Sequence, residues 1–170
     1  MVRVEQVLNS WKAVRLDAAA AVEEFPADDL DFRPVAELQS FREIARHILD
    51  AGDGLMGALL AGENDFQSAE GRERRKAFRR SLPADAAGAE LAAALRQSVE
   101  ERAAQLAAQP PAFFSEMVKR VDGQTVTRLE MVQFVKEHEL THRQQLFTYQ
   151  RLKGLVPITT RRRMAMQAAK

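Results

Sequence analysis

Four long stretches of this chain repeat apolar residues at helical spacing, and prolines, glycines or capping residues cut them apart. That pattern constrains the fold to a helical bundle. In the first stretch, residues 2 to about 25, Val4, Val7, Leu8, Trp11, Val14 and Leu16 share an apolar stripe that ends at Pro26. The segment PADDLDFRPVAEL holds two prolines and several acids and reads as a loop, until Ser40-Phe41-Arg42-Glu43 supplies a capping box. The second helix therefore starts at about Phe41. It carries Ile44, Ile48, Ala51, Leu55, Leu59 and Leu60, and its glycines at 52, 54 and 57 weaken it unless a neighbour packs closely against them. The polar stretch from Gly62 to Leu82 reads as a loop with a short helical piece. After Pro83, ADAAGAELAAALRQSVEERAAQLAAQ is strongly helix-forming until Pro110-Pro111 stops it. Asp122-Gly123, between the β-prone pieces of EMVKRVDGQTVTR, signals a short β-hairpin. Thr127-Arg128-Leu129-Glu130 is then a further capping box, opening a helix that runs to about Lys153 with Gly154 past its end.

The expected fold is all-α: an antiparallel four-helix bundle with a long connection and a short β-hairpin before the last long helix. A length of 170 residues suits one domain that buries its own core. The pattern places it at 1–155, with 156–170 a basic tail or short helix. A net charge of +1 gives no global drive toward nucleic acid or membrane. The sequence MVRVEQVLNSWKAVRL lacks the apolar core of a signal peptide and no run reaches membrane-spanning length, so a cytoplasmic protein is expected.

The absence of cysteine excludes disulfides, thiolate ligands and a Cys nucleophile, so any metal must be held by nitrogen and oxygen. The three histidines all fall in predicted helices. His138 and His142 form an H-x-x-x-H pair, which puts two imidazoles one turn apart on one face, where they can share a transition-metal ion. His47 lies in the second helix, and a bundle that joins the two helices would complete a three-nitrogen site. On the last helix, Met131, Val135, His138, His142, Gln145, Tyr149 and Leu152 follow three-four spacing and form the expected inward seam, with Glu137, Arg143 and Gln150 on other faces. On spacing alone, two readings stand level: a metal site, or core histidines each satisfied by one hydrogen bond. Asp50 and Glu43, each about one turn from His47, are candidates for a fourth ligand or for a carboxylate supporting an imidazole N–H. Glu139 reads as a solvated charge facing away from the seam, and Tyr149 as a core residue with one hydrogen bond.

The segments FREIARHILDAGD around His47 and HELTHRQQLFTYQRLKGLVP near the C-terminus resemble the DinB-like (YfiT-like) family of bacterial metal-binding four-helix bundles. The C-terminal segment is similar to the family's H-x-x-x-H-R-G-Q stretch followed by R-x-x-G and a proline, and the resemblance spans nearly the whole chain. It implies that His47, His138 and His142 are the metal ligands, that water or substrate fills the remaining positions, and that the protein is a homodimer. Trp11 and the first helix's stripe add slight independent support for dimerisation. Gln144 stands where many relatives have Gly, which bears on local packing and pocket shape.

Relatives of this kind include transferases that join low-molecular-weight thiols to electrophiles. The resemblance thus implies a metal-dependent thiol S-transferase or hydrolase acting on a small molecule, with Zn²⁺, Ni²⁺, Fe²⁺, Mn²⁺ or Co²⁺ as the ion. The alternative is a non-catalytic metal-binding protein of stress or detoxification. The basic clusters Arg72 to Arg80 and Arg161-Arg162-Arg163 lack aromatic interleaving and read as solvated faces or helix ends, so nucleic acid is not an expected partner.

Overall fold

The computed structural model describes residues 3–169; Val2, where the first predicted helix begins, and the terminal Met1 and Lys170 lie outside the described residues. Six helices and one hairpin follow in the order α1 (Val4–Glu24), α2 (Phe41–Leu60), α3 (Ala69–Ala77), α4 (Gly88–Ala107), β1 (Met117–Lys119), β2 (Thr125–Thr127), α5 (Arg128–Leu152) and α6 (Ile158–Ala168). Local chemistry sets the boundaries. Ser40 Oγ accepts from the Glu43 amide at 3.2 Å while Glu43 Oε2 accepts from the Ser40 amide at 2.6 Å, and Thr127 and Glu130 repeat the arrangement at the start of α5. In the hairpin, Val118 pairs with Val126 in an antiparallel register.

The long helices α1, α2, α4 and α5 form the four-helix bundle. Around its axis α1 packs on α4 and α5, and α2 packs on the same two from the opposite side. Helix directions follow from cross-helix bonds. Arg15 meets Glu139 and Gln150 Nε2 donates to Ala21 O, so α1 and α5 run parallel. His47 meets His138 while Tyr149 Oη donates to Gln39 O, so α2 and α5 run antiparallel. Ser98 meets both Asp53 and Arg15, Arg42 reaches Ala86 O and Arg96 pairs with Glu23, which makes α4 parallel to α2 and antiparallel to α1. Two consecutive helices pointing the same way require a long return, and residues 61–87 supply it, with α3 lying along α2 on the way.

The buried apolar residues form two clusters. One holds Val22, Phe25, Phe41, Ile44, Ile48, Leu91, Leu95, Leu146 and Phe147, with Phe25 and Phe41 stacked at a centroid separation of 3.6 Å. The other holds Val7, Leu8, Trp11, Leu55, Leu59, Val99, Leu106, Met131, Val132 and Val135. Between them, at mid-height, lies a layer of polar side chains. Trp11 is wholly buried inside the chain, so it offers no surface to a second copy and lends no support to dimerisation. The C-terminal α6 is held by charge: Arg161 pairs with Glu24, and Arg162 reaches Asp17, to which Arg143 also donates. Among the described residues, no helix is long and apolar enough to cross a membrane.

The buried face of α5 departs from the expected seam. Gln145 is exposed and Leu152 is 58% exposed, whereas Glu139, Leu146 and Gln150 are buried. The three-four spacing averages 3.5 residues per turn, so on a 3.6-residue helix the face it traces drifts by roughly 20° per heptad. Over a helix of 25 residues the drift carries the true interior onto Leu146, Phe147 and Gln150 by the last two turns.

Candidate metal centre

The capping box at Ser40 fixes where α2 begins, and the box at Thr127 does the same for α5. With both helices registered in the bundle, His47 on α2 faces His138 and His142 on α5. The structure brings all three imidazoles together. His138 Nε2 lies 3.0 Å from His47 Nε2 and 3.0 Å from His142 Nε2, with ring centroids 4.4–4.9 Å apart and the rings roughly edge to face. All three are half-buried, and one ring nitrogen from each converges on a common point.

The chemistry of this donor set suits a cation. In a neutral imidazole, His138 Nε2 carries either one N–H or one lone pair, so at most one of its two 3.0 Å Nε2···Nε2 contacts can be a well-aligned hydrogen bond. Gln145 Oε1 accepts from His142 Nδ1 at 2.7 Å, which leaves the His142 Nε2 lone pair aimed at the cluster. Such a bond orients an imidazole for ligation and raises its basicity. A metal–nitrogen bond of about 2.0–2.1 Å puts neighbouring nitrogens roughly 2.9–3.4 Å apart, and the observed 3.0 Å falls within that span. His138 Nδ1 is buried without a partner, so support for the ring orientation is built on His142 and not on His138. Burial pushes the His138 pKa down to about 4, helped by the neighbouring His142, His47 and Arg15, and burial likewise lowers that of His47. Those two rings are thereby biased toward the neutral form, which a ligand must have.

Among the described residues, no carboxylate joins the three nitrogens. Glu43 is not a ligand, because its carboxylate closes the Ser40 capping box and lies 3.4 Å from Arg33. Asp50 stands outside the ligand cluster, in a cleft of about 600 Å³ that it shares with His47, Arg33, Glu43, Arg46, Arg75 and Arg79. Burial raises the Asp50 pKa against the opposing pull of Arg79 and Arg46. Tyr149 Oη donates to Gln39 O at 2.9 Å and is a core residue with one hydrogen bond. Gln144 is exposed on the wall of another cleft with Gln145, Thr148 and Tyr149, so its bulk is accommodated at the surface.

Glu139 overturns the expectation of a solvated charge. It is fully buried, and Arg15, also fully buried, donates to both of its carboxylate oxygens, with Nε 2.7 Å from Oε2. The same guanidinium donates to Ser98 Oγ at 3.2 Å and to Ile48 O at 3.3 Å. Ser98 Oγ in turn donates to Asp53 Oδ1 at 2.8 Å, and Arg80 and Arg102 bond the same carboxylate. Glu139 follows His138 and Ile48 follows His47, so Arg15 clamps α2 and α5 at the level of the histidines. The three-four seam of α5 alone does not reveal this layer. A signal for it is nonetheless present, because Glu139 falls on the interior spacing Val132, Val135, Glu139, His142, Leu146, and Arg15 sits four residues from both Trp11 and Ala19 in the buried face of α1.

The DinB family matches residues 1–169. The chain belongs to the DinB family. No curated protein matches the sequence. Among solved structures, the chain is similar to the DinB-like protein YjoA from Bacillus subtilis, with a TM-score of 0.67 and 19% identity over 88% of this chain and 92% of that one. It is also similar to a protein assigned to the DinB family from Exiguobacterium sibiricum, with a TM-score of 0.63 and 21% identity over 91% of this chain and 94% of that one. At these identities the likeness is one of fold. Membership of the DinB family and the three-histidine cluster are both compatible with metal binding.

Proposed function

We propose that His47, His138 and His142 hold one divalent transition metal through their Nε2 atoms and that the protein is a metal-dependent enzyme of the S-transferase or hydrolase type. The observation that carries this reading is the convergence of three imidazole nitrogens beside a cleft, with no protein carboxylate among the described residues to close the set. A three-ligand site next to a cleft is the arrangement of catalysis, whereas a structural site is closed by four protein ligands. The bound ion would supply Lewis acidity, lowering the pKa of a water or a low-molecular-weight thiol and polarising a carbonyl. Zn²⁺, Ni²⁺, Fe²⁺, Mn²⁺ and Co²⁺ all suit an all-nitrogen set. The chain's own residues do the rest. Gln145 holds the His142 tautomer, Arg15 holds α2 and α5 at a fixed separation, and Asp50, raised by burial, is the carboxyl in the cleft suited to take up or return a proton.

Elemental analysis of protein purified without chelator, run beside His142→Ala, tests the site. The parent should carry close to one metal per chain and the variant little. Cobalt-substituted protein should then change its visible spectrum when a thiol is added. A metal-free parent, even after incubation with the candidate ions, would reduce the cluster to ordinary core histidines. A spectrum indifferent to every added ligand would favour a non-catalytic metal protein.

A further inference from the structure

The cleft beside His47 carries more positive charge than its acids neutralise, and the packing of α3 brings that charge close. Helix α3 docks on α2 where α2 has no side chains: a Cβ at Gly54 would stand 2.9 Å from the Arg75 carbonyl oxygen, and one at Gly57 would run into the Phe78 ring. The glycines that weaken α2 thus admit α3 at backbone contact. Along α2, His47, Asp50, Ala51 and Gly54 share one face, so the docked α3 and the turn that follows it bring Arg75 and Arg79 to the side of the bundle where His47 lies.

Four arginines line this cleft, and they are not equivalent. Arg33 lies beside Glu43, and Arg46 donates through its terminal nitrogens to the carbonyls of Pro83 and Leu82. Among the described residues, Arg75 and Arg79 have neither an ion pair nor a side-chain hydrogen bond. Arg75 Nε is buried and without a partner, and both burial and the like charges of Arg79 and Arg72 lower the pKa of this guanidinium. The other basic residues of the stretch contrast with these two. Arg74 pairs with Glu63, Lys76 with Glu73, Arg80 with Asp53 and Glu101, and Arg72 donates to Gln67 O. A buried guanidinium nitrogen left unpaired beside another free cation is costly unless a ligand completes it. Paired guanidinium forks match the oxygens of a carboxylate or phosphate.

We infer that Arg75 and Arg79 form the anion-binding subsite of the cleft and that the substrate is a small organic molecule bearing a carboxylate or phosphate group, gripped there with its reacting end toward His47. A cleft of about 600 Å³ is of the size that takes such a molecule. The subsite itself is argued from Arg75, Arg79 and α3; only the assignment of the reacting end rests on the proposed metal site.

The test separates the two. Metal-free parent, Arg75→Gln, Arg79→Gln, the double variant, Arg72→Gln and His142→Ala are each titrated with inorganic phosphate and with succinate. Binding is followed by calorimetry and by the NMR signals of the arginine Nε–H groups. The parent, Arg72→Gln and His142→Ala should bind at least one probe alike, and the probe preferred names the oxyanion. Each single Gln variant should weaken binding about tenfold and the double variant more, and the same variants purified without chelator should carry as much metal as the parent. Raising ionic strength from about 0.02 M to about 0.2 M should weaken the parent's binding. The inference fails if neither probe binds the parent, if the double variant binds as well as the parent, or if His142→Ala alone abolishes binding. Arg79 is exposed, so Arg79→Gln retains the fold and keeps the comparison valid should Arg75→Gln be unstable.

Discussion

Two polar clusters meet on α5 at consecutive residues, and they are built on opposite principles. Glu139 belongs to a layer that is buried and complete: Arg15, Ser98, Asp53 and Glu139 are all buried, and each finds partners among the others or in Arg80, Arg102 and the Ile48 carbonyl. His138 belongs to a cluster that is half-buried and incomplete, with three nitrogens facing one another and its own Nδ1 unpartnered. A satisfied network in low dielectric rigidifies the fold around it, whereas an unsatisfied one is held in place by its surroundings and waits for a ligand. The layer divides the two apolar cores and fixes the helices, and the histidines take their geometry from it.

The largest effect should come from breaking the complete cluster. Glu139→Leu leaves Arg15 buried and unpaired, and should cost about 3–5 kcal/mol in denaturant unfolding of the metal-free protein. Adding Arg15→Met to Glu139→Leu should recover most of that loss, because a repacked apolar layer removes the orphaned charge. A single variant as stable as the parent would show that the layer does not organise the bundle. Gly52→Ala tests the same layer from α2: its Cβ would lie 2.7 Å from Glu139 Oε1 and closer still to the Arg15 guanidinium, at a cost of about 1–3 kcal/mol. The incomplete cluster should respond in ligand affinity instead of stability. Gln145→Ala removes the hydrogen bond to His142 Nδ1 on an exposed face, so the metal-free stability should hold while metal affinity falls about 10–100-fold in competition with a chelator of known strength.

The same contrast decides what could be read from the sequence. The helices, the capping boxes at Ser40 and Thr127 and the hairpin at Asp122-Gly123 are local, written in residues a few positions apart, and all appear where the pattern puts them. The three histidines are legible for a similar reason, since two are one turn apart and the family's segments supply the third. The Arg15 layer is not local: its members lie on α1, α2, α4 and α5, 33 to 124 residues apart along the chain for the bonds Arg15 makes. A charged residue on an apolar face reads as an exposed edge until its partner is known. Glu139 lies beside the chosen seam, on the face that Val132, Val135 and Leu146 bury, whereas the drift of that seam exchanges inside for outside only by Gln145, Gln150 and Leu152.

The smallest expected effect is on the pH dependence of the metal-free fold. In the unfolded chain His138 titrates near 6.5, and in the fold burial, His142, His47 and Arg15 push it down to about 4. Between those values the unfolded state binds a proton that the folded state refuses, so stability falls as pH drops through this window and is unaffected by His138 above it. Because the ring is only half-buried, solvent damps the effect. Asp50 works in the opposite sense, since burial raises its pKa and its protonation favours the fold as pH falls. Comparing the parent with His138→Gln isolates the histidine contribution: the variant's stability should be flatter between pH 6.5 and pH 4, with the two proteins parallel above pH 7. Protons also compete for the imidazole nitrogens, so metal added to the parent should steepen the loss on acidification, and should leave the profile of His138→Gln unchanged. If the metal-loaded and metal-free parents show the same pH profile, the three nitrogens are packed against one another without serving as ligands, and the distinction between the two clusters on α5 would reduce to one of burial alone.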